Sequence, residues 1–255
     1  MTEPTAAAFL ERLHALQSDD ELRKIQRYFR SGPGEYGEGD RFIGVRMGHV
    51  FALAKEFMAM EPAEIERLLE SDIHEARAGA LSIMSKQASH KKTTAERRRD
   101  LFALYLRRHD RVNNWDLVDL AAPNVIGGYL VDKPRDVLYN LARSANPWER
   151  RTAIYATLAF IKRKETEDTF AIAEILVSDP EEIIQKAWSG CLRFAGDLDR
   201  QRLLAFLDKH ATTMSRVALR QCIEHLEPAL RQRFLSRERP GRSPSPAESG
   251  EEVGG

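Results

Sequence analysis

Apolar residues recur at helical spacing through almost the whole chain, and no stretch shows the strict alternation of a half-buried strand. In 180–195 they fall at Ile183, Ile184, Ala187, Trp188, Cys191, Leu192 and Ala195. Prolines punctuate this pattern. Pro62, Pro134, Pro147, Pro180 and Pro228 stand where a first helical turn tolerates a missing N–H. The spacing predicts helices over 49–59, 62–71, 73–88, 94–108, 115–122, 134–144, 147–163, 167–178, 180–195, 199–210, 215–225 and 227–236. Ahead of them, Thr5 caps a helix carrying Phe9, Leu10, Leu13 and Leu16. Ser18-x-x-Glu21 forms a capping box for a second helix through Ile25, Tyr28 and Phe29.

The helices repeat. Asp72, Asn146 and Asp179 each precede a helix that soon presents a base: Arg77, Arg151 and Lys186. The bases lie 74 and 35 residues apart, and 74 is two steps of 37 whose midpoint falls at Asn114. Two helices per unit of that length are the signature of a HEAT-like repeat. The expected fold is all-α: a HEAT-like α-solenoid, a curved right-handed stack of antiparallel helix pairs spanning 1–236. One helix of each pair in such a stack lines a concave surface. Arg77, Trp115, Asp119, Arg151 and Lys186 are therefore expected along one groove.

Net charge is zero and identifies no partner, but its distribution is uneven. Residues 1–72 carry 9 Lys+Arg against 14 Asp+Glu, whereas 86–111 carry 9 against 3. Lys91, Lys92, Arg97, Arg98, Arg99, Arg107, Arg108 and Arg111 make a basic strip, which suits phosphate contacts or is simply the solvated face of a helix. Cys191 and Cys222 are too few for a disulfide framework and point to a reducing compartment. Neither a signal peptide nor a spanning apolar run is evident, so a cytoplasmic location without membrane contact is expected. Glycines at 32, 34, 37, 39, 44 and 48 exclude helix from 31–48. That stretch lacks the G-K-[ST] and βαβ context of a phosphate loop and reads as an ordered connection. Residues 237–255 have almost no apolar content and are expected to be disordered.

The stretch with most chemical content is NNWDLVD at 113–119. Asn113 and Asn114 suit an N-cap, Asp116 sits in the first turn, and Pro123 is expected to stop the helix. Trp115 and Asp119, four apart, share a face. Either they are an aromatic plate and a carboxylate for a developing cation, or Trp115 is core and Asp119 a cap. Other templates fail: the seven histidines form no HExxH, and there is no GxSxG. A mechanism without metal or cofactor remains, in which a carboxylate stabilises an oxocarbenium ion during glycosidic cleavage.

GEYGEGDRFIGVR at 34–46, NNWDLVD at 113–119, NPWERRTAI at 146–154 and the IQKAW…LR run at 184–193 together resemble the AlkD-type DNA alkylation repair proteins. The resemblance covers about residues 18–235. It implies a HEAT-like solenoid cradling duplex DNA, and a monomeric, monofunctional glycosylase that excises cationic N3- and N7-alkylated purines without a requirement to flip the base. It implies that Trp115 packs on the deoxyribose, that Asp119 stabilises the oxocarbenium ion or positions water, and that Arg151 holds the backbone and orients the site. Arg77, Trp148, Lys186, Arg193 and Arg220 are the further candidates for DNA contact. Gly190 stands where the resemblance places a second tryptophan, and Gly48 where a helix-starting proline is expected. Trp188, about 200° around the helix from position 190, should face away from the groove. A non-excising DNA-binding paralogue is therefore the alternative, and a protein-binding HEAT scaffold a third.

Overall fold

The computed structural model describes residues 4–29, 32, 35 and 37–237. The expected disordered tail lies outside the described residues except for Arg237, which pairs with Asp208 and donates to its carbonyl (3.1 Å). The described residues contain no strand, only a single bridge between Arg41 and Ile73. The helices are Ala6–His14 (α1), Asp19–Tyr28 (α2), Met47–Glu56 (α3), Pro62–Leu69 (α4), His74–Ser89 (α5), Ala95–Arg107 (α6), Trp115–Ala121 (α7), Gly128–Leu130 (α8), Asp136–Ala142 (α9), Pro147–Ala156 (α10), Leu158–Ile161 (α11), Glu167–Leu176 (α12), Glu182–Leu198 (α13), Arg200–His210 (α14), Arg216–Cys222 (α15) and Pro228–Leu235 (α16).

The caps explain where several begin. Thr5 Oγ1 accepts from Ala8 N–H (3.2 Å) and Asn146 Oδ1 from Trp148 N–H (2.9 Å). Only half of the box at Ser18 forms. Ser18 Oγ accepts from Glu21 N–H, but Ser18 N–H donates to Gly44 O (3.1 Å), so Glu21 is released to pair with Arg46 and Lys24.

Packing divides the helices into two rows. α3, α5, α7, α10, α13 and α15 pack in succession, each on the next, and behind them α4, α6, α9, α12 and α14 form a second row. This is the two-layer order of an α-solenoid. One apolar core runs from Ala6 to Phe234 between the rows. Four expectations need correction.

Pro123 does not end the helical path. After α7 the chain makes a π turn over Ala122–Gly127, with Gly128 N–H donating to Pro123 O, and continues into α8. Proline lies at the start of this turn, where its missing N–H costs no internal bond. The wider turn brings Gly127 against α10, where a Cβ would stand 2.0 Å from Ala156 O. Gly127→Ala is expected to cost about 2–3 kcal/mol by overpacking against backbone, lowering the thermal midpoint by roughly 5–10 °C in a melt followed by circular dichroism.

The helix expected over 147–163 is interrupted at Thr157, whose Oγ1 donates back to Ile154 O (2.7 Å).

The repeat register is one residue off. Arg77 donates from Nη1 to the carbonyls of Ser71 and Asp72, six and five residues back. Arg150, not Arg151, makes the same pair of bonds, to Ser144 and Ala145, and Gln185, not Lys186, reaches Asp179 O six residues back. One residue is about 100° on a helix, which is why Arg77 turns back to the carbonyls before its helix while Arg151, also buried, points to Asp119.

The basic strip, finally, is not beside α7, α10 and α13. α6 is in the second row, and its bases pair with the acidic residues before them: Arg97 with Glu61, Arg107 with Glu66, and Arg108 with Glu66 and Glu70. Arg111 donates to Leu69, Glu70 and Ser71 carbonyls, and Arg98 to those of Ala88 and His90. Part of the sequence asymmetry in charge is thus a staple between successive helices, while Arg99 faces Glu96 and Asp100 of its own helix.

Candidate functional site

α7 is short and is aligned from its first residue. Asn114 Oδ1 accepts from Trp115 N–H (2.8 Å), and its Nδ2 donates to Asp40 Oδ2 (2.7 Å). Asp40, in the glycine-rich stretch, is the hub. Its side chain is almost wholly buried and receives Arg77 Nη2, Asn113 Nδ2 (3.1 Å), Asn114 Nδ2 and His74 Nδ1 (3.2 Å). Burial by itself would raise the Asp40 pKa, but these donors outweigh it and hold the carboxyl below its usual range. From Gly37 to Arg46 the stretch is an ordered connection that also orients the functional helix; residues 31, 33, 34 and 36 lie outside the described residues, and Met47 and Gly48 already belong to α3. Three successive N–H groups, those of Ile43, Gly44 and Val45, converge on the Glu75 carboxylate (2.9–3.2 Å). The likeness to a phosphate cradle has this physical basis: the anion is supplied from within the chain. Gly44 is required there, with φ +80° and no room for a Cβ, which would lie 2.2 Å from Ser18 O.

His74 is fully buried. Its Nδ1 faces Asp40 and its Nε2 lies 2.8 Å from Asp116 Oδ2. Desolvation opposes the imidazolium, but the two carboxylates prevail and raise its pKa to about 9. A pKa raised in the folded state contributes stability that is complete below the unfolded value and is lost as pH rises through the folded one. Stability should therefore fall between pH 6.5 and about 9 by roughly 3 kcal/mol, read as the urea midpoint across that range. His74→Gln should flatten the decline.

Asp119 and Arg151 meet as a bidentate pair, Nε to Oδ1 and Nη2 to Oδ2, both 2.8 Å. Arg151 also donates to Ile183 O (2.8 Å) and Tyr155 OH (3.0 Å), and its guanidinium stacks on the Tyr155 ring 4.5 Å away. Burial lifts the Asp119 pKa above its usual range, and the Arg151 hydrogen bonds oppose that rise. The carboxylate retains about 25% exposure, against 7% for the arginine.

That exposure opens into a cleft of about 740 Å³ between α2, α3 and α7. Trp115, Phe29, Tyr28, Met47 and Phe51 supply its apolar lining, Asp116 and Asp119 its carboxylates, and Glu21, Lys24 and Arg46 its ion-paired charges. Trp115 stacks on Phe29 (centroids 5.6 Å apart, planes 16° apart) and meets Tyr28 edge-on at 5.9 Å. Arg46 and Lys24 hold the Glu21 pKa at about 2. Such a cleft suits a flat, positively charged group.

The structure thus brings Trp115, Asp119 and Arg151 together. It does not bring Arg77 to them as a free cation. That guanidinium is 3% exposed and is held by Asp40 and two carbonyls, so its expected place in a groove is corrected. Arg151 is similarly enclosed, its donors directed at Asp119, Ile183 O and Tyr155 OH. Lys186 is exposed and pairs with Glu182, Arg193 pairs with Glu224, Arg220 is exposed, and Trp148 packs half-buried on the core. Trp188 is fully buried, as its angle required, near Phe206. At Gly190 a Cβ would lie 2.9 Å from Gln221 Nε2, so the α15 glutamine stands against the expected tryptophan position.

Nothing in the sequence marks Asp40, His74, Glu75 or the aromatic wall from α2 as site residues. Asp116 and Tyr155 carried a usable signal, at i−3 from Asp119 and i+4 from Arg151. Asp40 carried none, because 73 residues separate it from Asn113.

A two-row helical stack in which an arginine of α10 clamps a carboxylate of α7, beside an indole at an open aromatic cleft, defines the class: an α-solenoid with a carboxylate at the edge of an apolar cleft. The family model for DNA alkylation repair enzyme matches residues 9–226, and the chain belongs to that family. Among solved structures it is similar to one titled "Predicted DNA alkylation repair enzyme from Enterococcus faecalis", at TM-score 0.63 and 17% identity over 83% of this chain and 97% of that one. At that identity the likeness is one of fold. No curated protein matches by sequence. No helix among the described residues is long and apolar enough to cross a membrane.

Proposed function

We propose that this DNA repair protein is a monofunctional glycosylase that excises cationic N3- and N7-alkylated purines from duplex DNA. One observation carries the reading: Asp119, clamped by Arg151, opens into an aromatic cleft beside Trp115. An alkylated purine already bears positive charge. The C1′–N bond breaks with its electron pair going to the base, which leaves neutral, and C1′ becomes an oxocarbenium ion. Water adds there and loses a proton, leaving an abasic site. Asp119 supplies fixed negative charge beside the developing cation, and Trp115 offers a ring to the sugar. Arg151 positions the carboxylate. Lys186, Arg193, Arg220 and Trp148 remain the candidates for backbone contact, outside the clamp.

Release of 7-methylguanine from methylated duplex DNA tests the proposal. Wild type should release it above background, and no release would end the enzyme reading. Gly190 favours a second reading, a paralogue that binds DNA without excision. Salt-dependent binding with no base release would establish that one instead.

A further inference from the structure

The turns that join the inner row to the second row in three consecutive repeats are 90–94, 131–135 and 162–166. They carry Lys91 and Lys92, then Lys133 and Arg135, then Lys162, Arg163 and Lys164, against only Asp132 and Glu165. The turns on either side, after α3 and after α13, carry Glu61 and Asp199 with no lysine or arginine. A cleft of about 780 Å³ lies where the three basic turns meet, lined by Arg98, Arg99, Lys133 and Arg163 beside Glu96 and Asp132. Lys133 lies over the Tyr129 ring at 4.5 Å, and that ring stacks on Phe102 at 4.4 Å. The fold uses some of these charges: Arg135 pairs with Glu165 and Asp168, Arg163 with Glu165, and Lys133 with Asp132. Lys91, Lys92, Lys162 and Lys164 are exposed and form no ion pair among the described residues. Like charges gathered without counter-ions repel one another, and a polyanion relieves that repulsion.

We infer that this edge is a second contact surface for the duplex, taking backbone phosphates several base pairs beyond the lesion. The inference rests on the proposed reading of DNA lying along the inner row and extends it. A solenoid bends across its helix axes, so the groove of its inner row runs along them, and a duplex in that groove leaves past the helix ends. From Asp119 the chain follows α7, the π turn and α8 to this edge, a path of roughly 15 Å at about 1.5 Å per residue. That is about four to five base-pair steps of about 3.4 Å. Long ammonium side chains without fixed partners suit phosphates, which ask for charge and carry no sequence information. An acidic protein would meet the same charge, but cations that recur once per repeat match the regular spacing of a backbone better than an irregular acidic surface.

The test uses the full chain and GC-rich duplexes of about 9 and about 25 base pairs, only the longer of which reaches the edge. Each carries a central tetrahydrofuran abasic analogue, which sets the register on the Asp119 cleft and cannot be cleaved by a glycosylase. Affinity is measured against salt for wild type and for Lys91→Ala/Lys92→Ala/Lys162→Ala/Lys164→Ala. On the long duplex the variant should bind roughly tenfold more weakly or worse at about 0.1 M salt, and its slope of log K against log salt should be shallower by about 2–4. On the short duplex the two proteins should agree within about threefold. Four exposed side chains without ion-pair partners should leave the thermal midpoint nearly unchanged, which separates lost contact from lost fold. An unchanged slope on the long duplex would leave the patch to an acidic protein or to solvent and overturns the inference. Equal losses on both duplexes would place these lysines at the lesion itself and overturn it too. Neither outcome touches base release by wild type, so the glycosylase reading stands or falls separately. Wild type that binds neither duplex and releases no base would overturn both.

Discussion

Asp119→Asn is expected to slow release of 7-methylguanine from methylated duplex DNA by at least roughly a hundredfold, with DNA affinity changed only slightly. The wild-type carboxylate accepts from both Nε and Nη2 of Arg151. An amide has one acceptor, so its N–H₂ must oppose an arginine N–H, and the fixed negative charge beside C1′ is gone. Losing one preorganised electrostatic contact of this kind costs about 3–4 kcal/mol at the transition state, which is the stated factor or more. The change also leaves the guanidinium buried without its counter-charge, a separate penalty on folding. The two effects are separable. Single-turnover rates at saturating enzyme read the first, and thermal melts read the second. An Asp119→Asn protein that is folded and as fast as wild type would remove Asp119 from the chemistry.

The largest effect on stability is expected at Asp40. Asp40→Ala should lower the unfolding free energy by about 3–5 kcal/mol, measured by urea denaturation, because two buried cations, His74 and Arg77, lose their shared carboxylate. The amide groups of Asn113 and Asn114 lose their acceptor as well. Against a typical total of about 5–15 kcal/mol this is a large fraction. Asp132→Ala, at an exposed pair with Lys133, should leave the urea midpoint almost unchanged. Since Asn114 caps α7 while bound to Asp40, Asp40→Ala should also shift Trp115 emission. A loss of stability near that of Asp132→Ala would show that the glycine-rich stretch is not what holds the functional helix.

Local patterns carried much of this molecule. Apolar spacing placed nearly every helix to within a few residues, and the i,i+4 relation of Trp115 and Asp119 put both at one cleft. Motif and position single out Arg151, and the fold shows its guanidinium holding Asp119. The errors share a cause. Arg77 and Arg151 looked equivalent because spacing was counted between basic residues, whereas the repeated unit is a hydrogen bond from residue i to carbonyl i−6, which Arg150 and Gln185 make. The sequence leaves the 86–111 strip open between phosphate contact and a solvated helix face, because the partners of Arg97, Arg107 and Arg108, namely Glu61, Glu66 and Glu70, precede them by a full repeat.

The sequence by itself determined the all-helical repeat and the side of α7 that carries an indole and a carboxylate, because both follow from 3.6-residue periodicity and neighbours on one helix. Only the tertiary structure decided which charges remain available. A guanidinium or carboxylate acts on a ligand to the extent that the fold leaves it unpaired, and pairing here joins residues 30 to 75 positions apart: Asp40 with Arg77 and Asn114, His74 with Asp116, Asp119 with Arg151.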